Sequence, residues 1–376
     1  MKNNLNNDTL ILYFEGELNS SNAEEKEKEI FSAIEGKKFS TLILDFSSLT
    51  YVSSAGLRII LKLKNQYDNL KIVEASLEVY DVLQMTGFIN ILTVEKALKK
   101  ISVEGAEIVG EGFFSTVYRI DGDTIIKVFN RTSDKDQISR ELRLAKEAFI
   151  LGIPTAISFD IVRVDDKLGV RFEMLDCDSL KNVFLKNPDK YDELTDKYAN
   201  LLKKINNTET DDKSLKQIKD FYYEKLDLVK DSLTDEEYAK MHKFLDDIQY
   251  SNNFVHGDCH FKNIMVQNDE LLLIDMDTLS LGSPLFELAQ IYCPYVAFEE
   301  DDPGNTERFL GVNKDFASKL FYDLLSRDLG DDEETLNKIK IIAYLHMMWW
   351  TRMNQKENEK RFNGCKSRLI NLLRNI

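Results

Sequence analysis

The sequence predicts an α/β layer followed in tandem by an α+β unit, over 376 residues. Three observations carry that expectation. A chain of this length exceeds what one ordinary hydrophobic core serves, so two or three folding units are expected. Over the first hundred residues, short apolar runs alternate with amphipathic helical faces. Beyond residue 104 a β-rich stretch gives way to a mostly helical one, and no low-complexity linker or internal repeat lies between the two patterns. The junction is therefore short.

In the first region, residues 9–14 form an apolar run closed by a turn at Glu15-Gly16-Glu17. Residues 22–34 are charged but place Ala23, Ile30, Phe31 and Ile34 on one helical face. Residues 41–46 are apolar and β-branched, the pattern of a buried strand. Ser54-Ala55-Gly56-Leu57 opens a helix through Leu63, residues 70–73 form another strand, and residues 79–85 form a helix that Gly87 ends. Such alternation predicts helices packed on a small sheet. Residues 95–104 are charged and read as helical. After them, residues 107–118 and 124–129 are strand runs around the turn Asp121-Gly122-Asp123. A helix over 139–151 and strands over 157–164 and 169–175 follow. From Ser179 the chain is mostly helical, with one β-rich insert over 253–274.

Composition narrows the function classes. Hydrophobic residues make up 43% and aromatics 10% of the chain, which excludes general disorder. The 65 acidic residues outnumber the 49 basic ones, and a net charge of −16 argues against broad nucleic-acid binding, which needs a basic surface. Cys177, Cys259, Cys293 and Cys365 are widely spaced and predict reduced thiols, not a disulfide framework. The opening residues lack the apolar core of a secretory signal, and no apolar run approaches the length of a membrane span. A cytoplasmic protein without a membrane or nucleic-acid partner is the expectation.

The second region carries the chemistry. Gly110-Glu111-Gly112-Phe113-Phe114-Ser115 sits at the turn of a hairpin, where glycines let backbone N–H groups approach phosphate oxygens. An ordinary glycine-containing hairpin explains the same residues. Lys127 follows on an otherwise apolar strand and needs an anionic partner. Glu141 on the next helix supplies a carboxylate while the amine holds nucleotide phosphates, although Glu147 shares that helix and a snorkelling lysine needs neither. The sharpest signal is His256-Gly257-Asp258-Cys259-His260-Phe261-Lys262-Asn263, followed by Leu271-Leu272-Leu273-Ile274-Asp275. Two short strands joined by residues 267–270 bring Asn263 and Asp275 together, with Asp258 in the preceding loop. Two carboxylates and an amide at one mouth suit a hard cation such as Mg²⁺ and the orientation of a hydroxyl for phosphoryl transfer. His256 reads as a structural prop for that loop.

In this order, the glycine loop, strand lysine, helix glutamate, H-G-D-x-x-x-x-N and I-D resemble the aminoglycoside phosphotransferase and choline kinase-like group of the protein-kinase-like fold. The resemblance covers residues 105–376. It implies a bilobal α+β domain, with residues 105–177 as the β-rich N-lobe and 178–376 as the helical C-lobe. It implies ATP and Mg²⁺ as cofactors and a small hydroxyl compound as acceptor. Asp258 is then the catalytic base or hydroxyl-orienting group, Asn263 and Asp275 bind Mg²⁺, and Gly110, Gly112, Ser115, Lys127 and Glu141 serve the phosphates. Backbone groups at Glu173 and Leu175 receive adenine. Ser115 stands where the protein-kinase pattern has a third glycine, and Glu287 where the family has the aspartate of D-L-A.

In the first region, the run from Leu42 through Asp45-Phe46-Ser47 to Ser53-Ser54-Ala55-Gly56 leads from a strand to a helix start. Ser53 or Ser54 serves as its N-cap, and the same geometry tolerates an added phosphate. With Thr86-Gly87-Phe88, this segment is similar to the STAS family of sulfate transporter and anti-sigma factor antagonist domains, a resemblance that spans about residues 5–100 and implies a STAS-like domain over residues 1–104. The resemblance implies an α/β fold, a protein partner, and Ser54 as a phosphosite. The resulting expectation is a phosphotransferase acting on an aminoglycoside, amino sugar or choline-like hydroxyl, with Glu299-Glu300-Asp301-Asp302 as an acidic rim for an amine or simply a solvated loop. The alternatives are a nucleotide-sensing regulatory module, or a kinase acting on a serine of the STAS-like domain.

Overall fold

The computed structural model describes residues 1–111, 115–130, 135–175, 177–211, 215–355 and 358–374, apart from the side chains of residues 136, 137 and 141. The chain divides into two compact units: Met1–Ser102 with Val162–Asp166, and Val103–Ile161 with Lys167–Ile376.

The first unit is built on a five-stranded sheet in the order β1-β2-β3-β4-β5, from Asn3–Asn6, Thr9–Leu18, Thr41–Val52, Leu70–Ala75 and Thr93–Lys96. β1 and β2 form a hairpin, and β2 through β5 run parallel. Alternate residues Leu10, Leu12, Leu42 and Leu44 are fully buried, so one face of the sheet is core. Helices α1 (Ala23–Ile34), α2 (Ser54–Gln66) and α3 (Leu77–Met85) contribute Ile30, Ile34, Ile60, Leu63, Val79 and Leu83 to the same cluster. Gly87 ends α3 in the left-handed region, as its position after the last apolar residue predicts.

Two local expectations fail here. The turn expected at Glu15-Gly16-Glu17 is a continuation of β2, with pairing shifts on either side of Glu15 and Gly16. A glycine at positive φ serves a bulge as well as a turn, and pairing with β3 decides between them. The helix expected over 95–104 does not form. Residues 93–96 add a parallel edge strand to β4, Ala97 donates its N–H to Ala75, and Lys99–Lys100 is a further two-residue strand, β6. An open sheet edge takes those backbone groups, and tertiary pairing overrides a weak local propensity.

The start of α2 depends on Gly56. A Cβ there would stand 2.7 Å from the Leu18 side chain, 2.8 Å from the Leu18 carbonyl and 2.9 Å from Val52. The absence of a side chain lets the helix start press onto the ends of β2 and β3.

In the second unit, strands pair in the order β11-β9-β8-β7, from Lys167–Glu173, Thr124–Phe129, Ser115–Arg119 and Glu107–Glu111, and β10 (Ser158–Val164) begins in this unit before its last three residues pass into the first. Helix α4 (Lys135–Ile150) follows β9. A helical part begins after the two-residue β12 (Asp178–Ser179) with α5 (Leu180–Lys186), α6 (Tyr191–Asn206), α7 (Ile218–Val229) and α8 (Asp235–Asp247). Strands β13 (Phe254–Val255), β14 (Ile264–Gln267), β15 (Glu270–Leu273) and β16 (Ser280–Leu281) lie within it. It ends with α9 (Pro284–Tyr292), a π-helical turn at Cys293–Ala297, α10 (Phe298–Asp301), α11 (Asn305–Leu310), α12 (Lys314–Asp328), α13 (Glu333–Asn354) and α14 (Glu359–Leu373). Leu144, Tyr198, Tyr222, Phe254, Phe286, Phe321 and Ile342 belong to one continuous core. That core fixes the loops that carry the polar groups.

Candidate active site

The β14–β15 hairpin registers Ile264 against Leu273 and turns through Asn268 and Asp269, both at positive φ. Paired central residues of this conformation match the twist of a tight hairpin. Just outside its open end, Ile274 donates its N–H to the Asn263 carbonyl at 3.0 Å, which sets Asn263 beside Asp275. The Asn263 amide Nδ2 donates to the Asp258 carboxylate at 2.9 Å and to the Asp258 carbonyl at 3.0 Å. Lys127 on β9 closes the group by pairing with the Asp275 carboxylate at 2.6 Å. Sequence-distant residues thus meet at one place.

A cleft of about 460 Å³ adjoins this cluster. Gly110, Ser115, Lys127, Glu173, Leu175 and Asp275 line it, together with apolar side chains such as Val117, Ile125, Phe172 and Ile274. Its size and largely apolar walls suit a nucleotide-sized ligand. The segment at Glu173 is pinned: its carboxylate accepts the Ile157 N–H at 2.7 Å, and Met174 donates to the Asp123 carbonyl at 2.8 Å. At Gly110 an added Cβ would meet only ordinary contact with Val117, so chain packing does not require glycine there. Gly112 lies outside the described residues, and Glu141 is on α4 with its side chain outside them. Glu147 accepts from Thr210 at 2.6 Å and lies 3.7 Å from Arg143.

The electrostatics distinguish the two carboxylates. Burial works to raise the Asp275 carboxyl, but the Lys127 ammonium overrides it and holds Asp275 below its usual range. Asp258 moves the other way. Its protein surroundings and the Asp275 charge push it up to about 7, against its Asn263 bond and Lys262, although 47% of the side chain remains open to solvent. Asp275 also holds a left-handed backbone at φ 65°, ψ 68°, uncommon for a residue with a Cβ.

The loop carrying Asp258 is held from several sides. Glu287 on α9 is fully buried and accepts the N–H of His256 at 2.6 Å and of Gly257 at 3.2 Å. The longer glutamate therefore anchors this loop in place of the aspartate that the D-L-A pattern would provide. His256 accepts the Asp258 N–H on Nδ1 and reaches the Ile274 carbonyl from Nε2 at 3.2 Å. Burial pushes that imidazole down to about 4, so it stays neutral in this role. Gly257 sits at φ 80°, with the Thr278 backbone 3.2 Å from where a Cβ would stand, so a side chain is doubly disfavoured.

Two tyrosines that the sequence does not single out complete the support. Tyr198 donates to the Cys259 carbonyl, and the Phe261 N–H donates to the Tyr295 hydroxyl at 3.0 Å. Both are fully buried, and Tyr295 belongs to the π-helical turn. The π turn and the isolated tyrosine leave no periodic signal, so only the folded chain reveals them.

The acidic run 299–302 is neither an open rim nor a solvated loop. Glu299 accepts the Gly304 N–H, Glu300 binds Tyr344 and Arg368, Asp301 binds Arg368 twice, and Asp302 pairs with Arg308 and Arg361. These carboxylates hold the end of the fold together.

In the first unit, Ser53 is the N-cap of α2 and accepts the N–H groups of Ala55 at 3.2 Å and Gly56 at 3.5 Å. Ser54 is the first helical residue and is exposed.

Comparison with known proteins divides the chain along similar lines. Residues 2–101 match the STAS domain, and residues 105–313 match the profile described as the phosphotransferase enzyme family. A Bordetella bronchiseptica protein, BtrV, named as a candidate anti-sigma factor antagonist, is 35% identical over 89 residues, spanning 23% of this chain and 76% of its own. Among solved structures, an ADP-bound aminoglycoside phosphotransferase, APH(2'')-Ib, aligns at 17% identity over 71% of this chain and 93% of its own, with a TM-score of 0.49. A choline/ethanolamine kinase family protein from Mesorhizobium loti aligns at 14% over 72% and 92%, with a TM-score of 0.46. The expected order, a STAS-like α/β domain followed by a kinase-like domain, is the order found. No helix among the described residues is long and apolar enough to cross a membrane.

Proposed function

Because this chain belongs to the phosphotransferase enzyme family, we propose that it transfers the γ-phosphoryl group of ATP to a hydroxyl of a small molecule, with its STAS domain as a regulatory or docking module. The observation that supports this most is the meeting of Lys127, Asp258, Asn263 and Asp275 beside a nucleotide-sized cleft.

Each side chain has a part. Lys127 offers a cation to the phosphates and is held ready by Asp275. Asn263 fixes the Asp258 carboxylate through Nδ2, which leaves its Oδ1 as a hard donor. Asp258 then orients the acceptor hydroxyl and takes up its proton, and the raised affinity of this carboxyl for a proton suits that task. The Asp275 carboxylate and the Asn263 amide oxygen fit Mg²⁺ in donor type. Bound through Asn263 and Asp275, Mg²⁺ would supply positive charge to the phosphoryl oxygens.

The acceptor is less constrained, because one fold serves many substrates. Residues 299–302 no longer argue for an amine, since their carboxylates are taken up within the protein. Phosphorus NMR of full-length protein with Mg·ATP and a panel of neutral, amine-bearing and acidic alcohols tests the reading. A new phosphomonoester signal supports it, whereas nucleotide binding with no phosphoester from any acceptor favours a nucleotide-sensing module.

The STAS domain carries a separate test. A phosphate on exposed Ser54 would add about 1.5–2 negative charges at a helix start, which the helix dipole tolerates. Ser54→Asp is expected to keep stability within about 1–2 kcal/mol, measured by denaturant unfolding. It is expected to change capture of a protein partner from the native cell. Ser53→Asp is the register control, since Ser53 is already used as the cap. If intact mass never shows a phosphate and neither variant alters a partner, Ser54 is not a switch.

A further inference from the structure

Lys262 immediately precedes Asn263, yet the transfer as described gives it no part. Its Nζ donates to the Phe309 carbonyl at 2.9 Å and lies 5.1 Å from the centre of the Phe309 ring. Lys181, in the first turn of α5, donates its backbone N–H to the Phe261 carbonyl at 3.3 Å. Its own Nζ comes within 3.2 Å of where a Cβ on Gly311 would stand. Both ammonium groups therefore sit against residues 309–311, where α11 ends.

The two lysines act on each other electrostatically, and Lys262 also acts on Asp258. Neither has a carboxylate within ion-pair distance among the described residues. One lysine at a helix end is accounted for by the carbonyl it caps. A second ammonium against the same helix end adds like-charge repulsion that the one carbonyl does not relieve. His260 is an independent sign. It is more than nine-tenths buried, its Nδ1 has no hydrogen-bond partner, and its ring lies edge-on to Phe309 at 5.5 Å. Its Nε2 is 3.5 Å from the Asp258 carboxylate. A buried polar atom left unpaired is costly until a ligand satisfies it.

The geometry points to an anion subsite formed by Lys181, Lys262 and His260 beside Asp258, so that the acceptor is a hydroxyl compound bearing a phosphate or carboxylate group. This inference rests on the reading of the chain as a hydroxyl-directed kinase. It reverses the acceptor charge expected from residues 299–302. On a chain of net charge −16, a local positive pair also draws an anion to one place instead of to the whole surface.

The full-length protein, saturated with Mg·ADP, is titrated calorimetrically with inorganic phosphate, sulfate and acetate, which separates phosphate from carboxylate recognition. The same titrations are run on Lys181→Gln and Lys262→Gln. Glutamine at 262 retains a donor for the Phe309 carbonyl while removing the charge. Saturable binding to the wild-type protein is expected for phosphate or acetate, weakened about tenfold or more in each variant, with Mg·ADP affinity unchanged. In transfer assays, an acidic alcohol should outcompete its neutral counterpart for the wild-type protein only. No saturable anion binding to wild type, or binding that both variants keep, overturns the subsite. Selective loss of ATP over ADP affinity in Lys262→Gln also overturns it, because the lysine would then serve the γ-phosphate. Failure of the kinase reading shows separately, as wild-type protein that forms no phosphoester from any alcohol, acidic or neutral, whatever its affinity for anions.

Discussion

Asp258→Ala is expected to lower turnover by about 10²–10⁴-fold, the usual loss when a positioned acid–base group is removed. Mg·nucleotide affinity should stay within about twofold, because Lys127, Asp275 and the cleft walls are untouched. The alanine also relieves the repulsion between the two carboxylates, so the folded protein should not be weakened at neutral pH. Asp275→Ala should behave differently. It removes an oxygen donor suited to Mg²⁺ and the partner of Lys127, so the affinity for Mg·nucleotide falls together with turnover. Steady-state kinetics paired with calorimetric nucleotide binding separates the two outcomes. An Asp258→Ala protein that retains wild-type turnover contradicts the role given to this carboxylate.

Glu287→Ala is expected to have the largest effect on stability. It leaves the N–H groups of His256 and Gly257 buried without an acceptor, at a cost on the order of 3 kcal/mol. The same loss frees the loop that carries Asp258, so activity should fall with stability. Glu287→Gln keeps an acceptor oxygen and should be milder at neutral pH, but its acid behaviour should differ. Burial pushes Glu287 up to about 7, above its unfolded value, so the folded state binds the proton more tightly and gains stability as pH falls through that range. Burial pushes His256 and His260 down to about 4, so their contribution is complete above about 6.5 and is lost as pH falls toward 4. The two trends oppose each other in the wild-type protein. Removing the Glu287 carboxyl takes away its share of the opposing trend, which Asp258 alone among the site's carboxyls then continues, and Glu287→Gln should lose stability more steeply between pH 6.5 and 4. Equal slopes for the two proteins in denaturant unfolding across that range would show that Glu287 does not take up the proton.

The distance between pattern and geometry differs from one part of the chain to another. Asn263 and Asp275 are legible as neighbours because a hairpin with a two-residue turn has a fixed register, and the apolar runs around Asn268-Asp269 announce it. Lys127 is legible because a lysine inside an apolar strand needs a reason to be there. Gly56 appears in the sequence only as part of a helix start, but its tight contact with Leu18 and Val52 is a tertiary fact. Residues 95–104 read as helix because charge and spacing say nothing of a free sheet edge nearby. The acidic run 299–302 is the clearest failure of local reading. Apart from Arg308, its partners Arg361, Arg368 and Tyr344 lie 44 or more positions away, so the sequence shows most of the charges without the groups that bind them. Tyr198 and Tyr295 are missed for the same reason.

The most direct test follows phosphorus from ATP by NMR in the full-length wild-type protein and in Asp258→Ala, with Mg²⁺ and the alcohol panel present. The account predicts one phosphomonoester formed for each ADP in the wild-type protein and almost none in the variant, while both proteins bind Mg·ADP equally. Inorganic phosphate released at equal rates by both proteins, with no phosphoester from any acceptor, would contradict it.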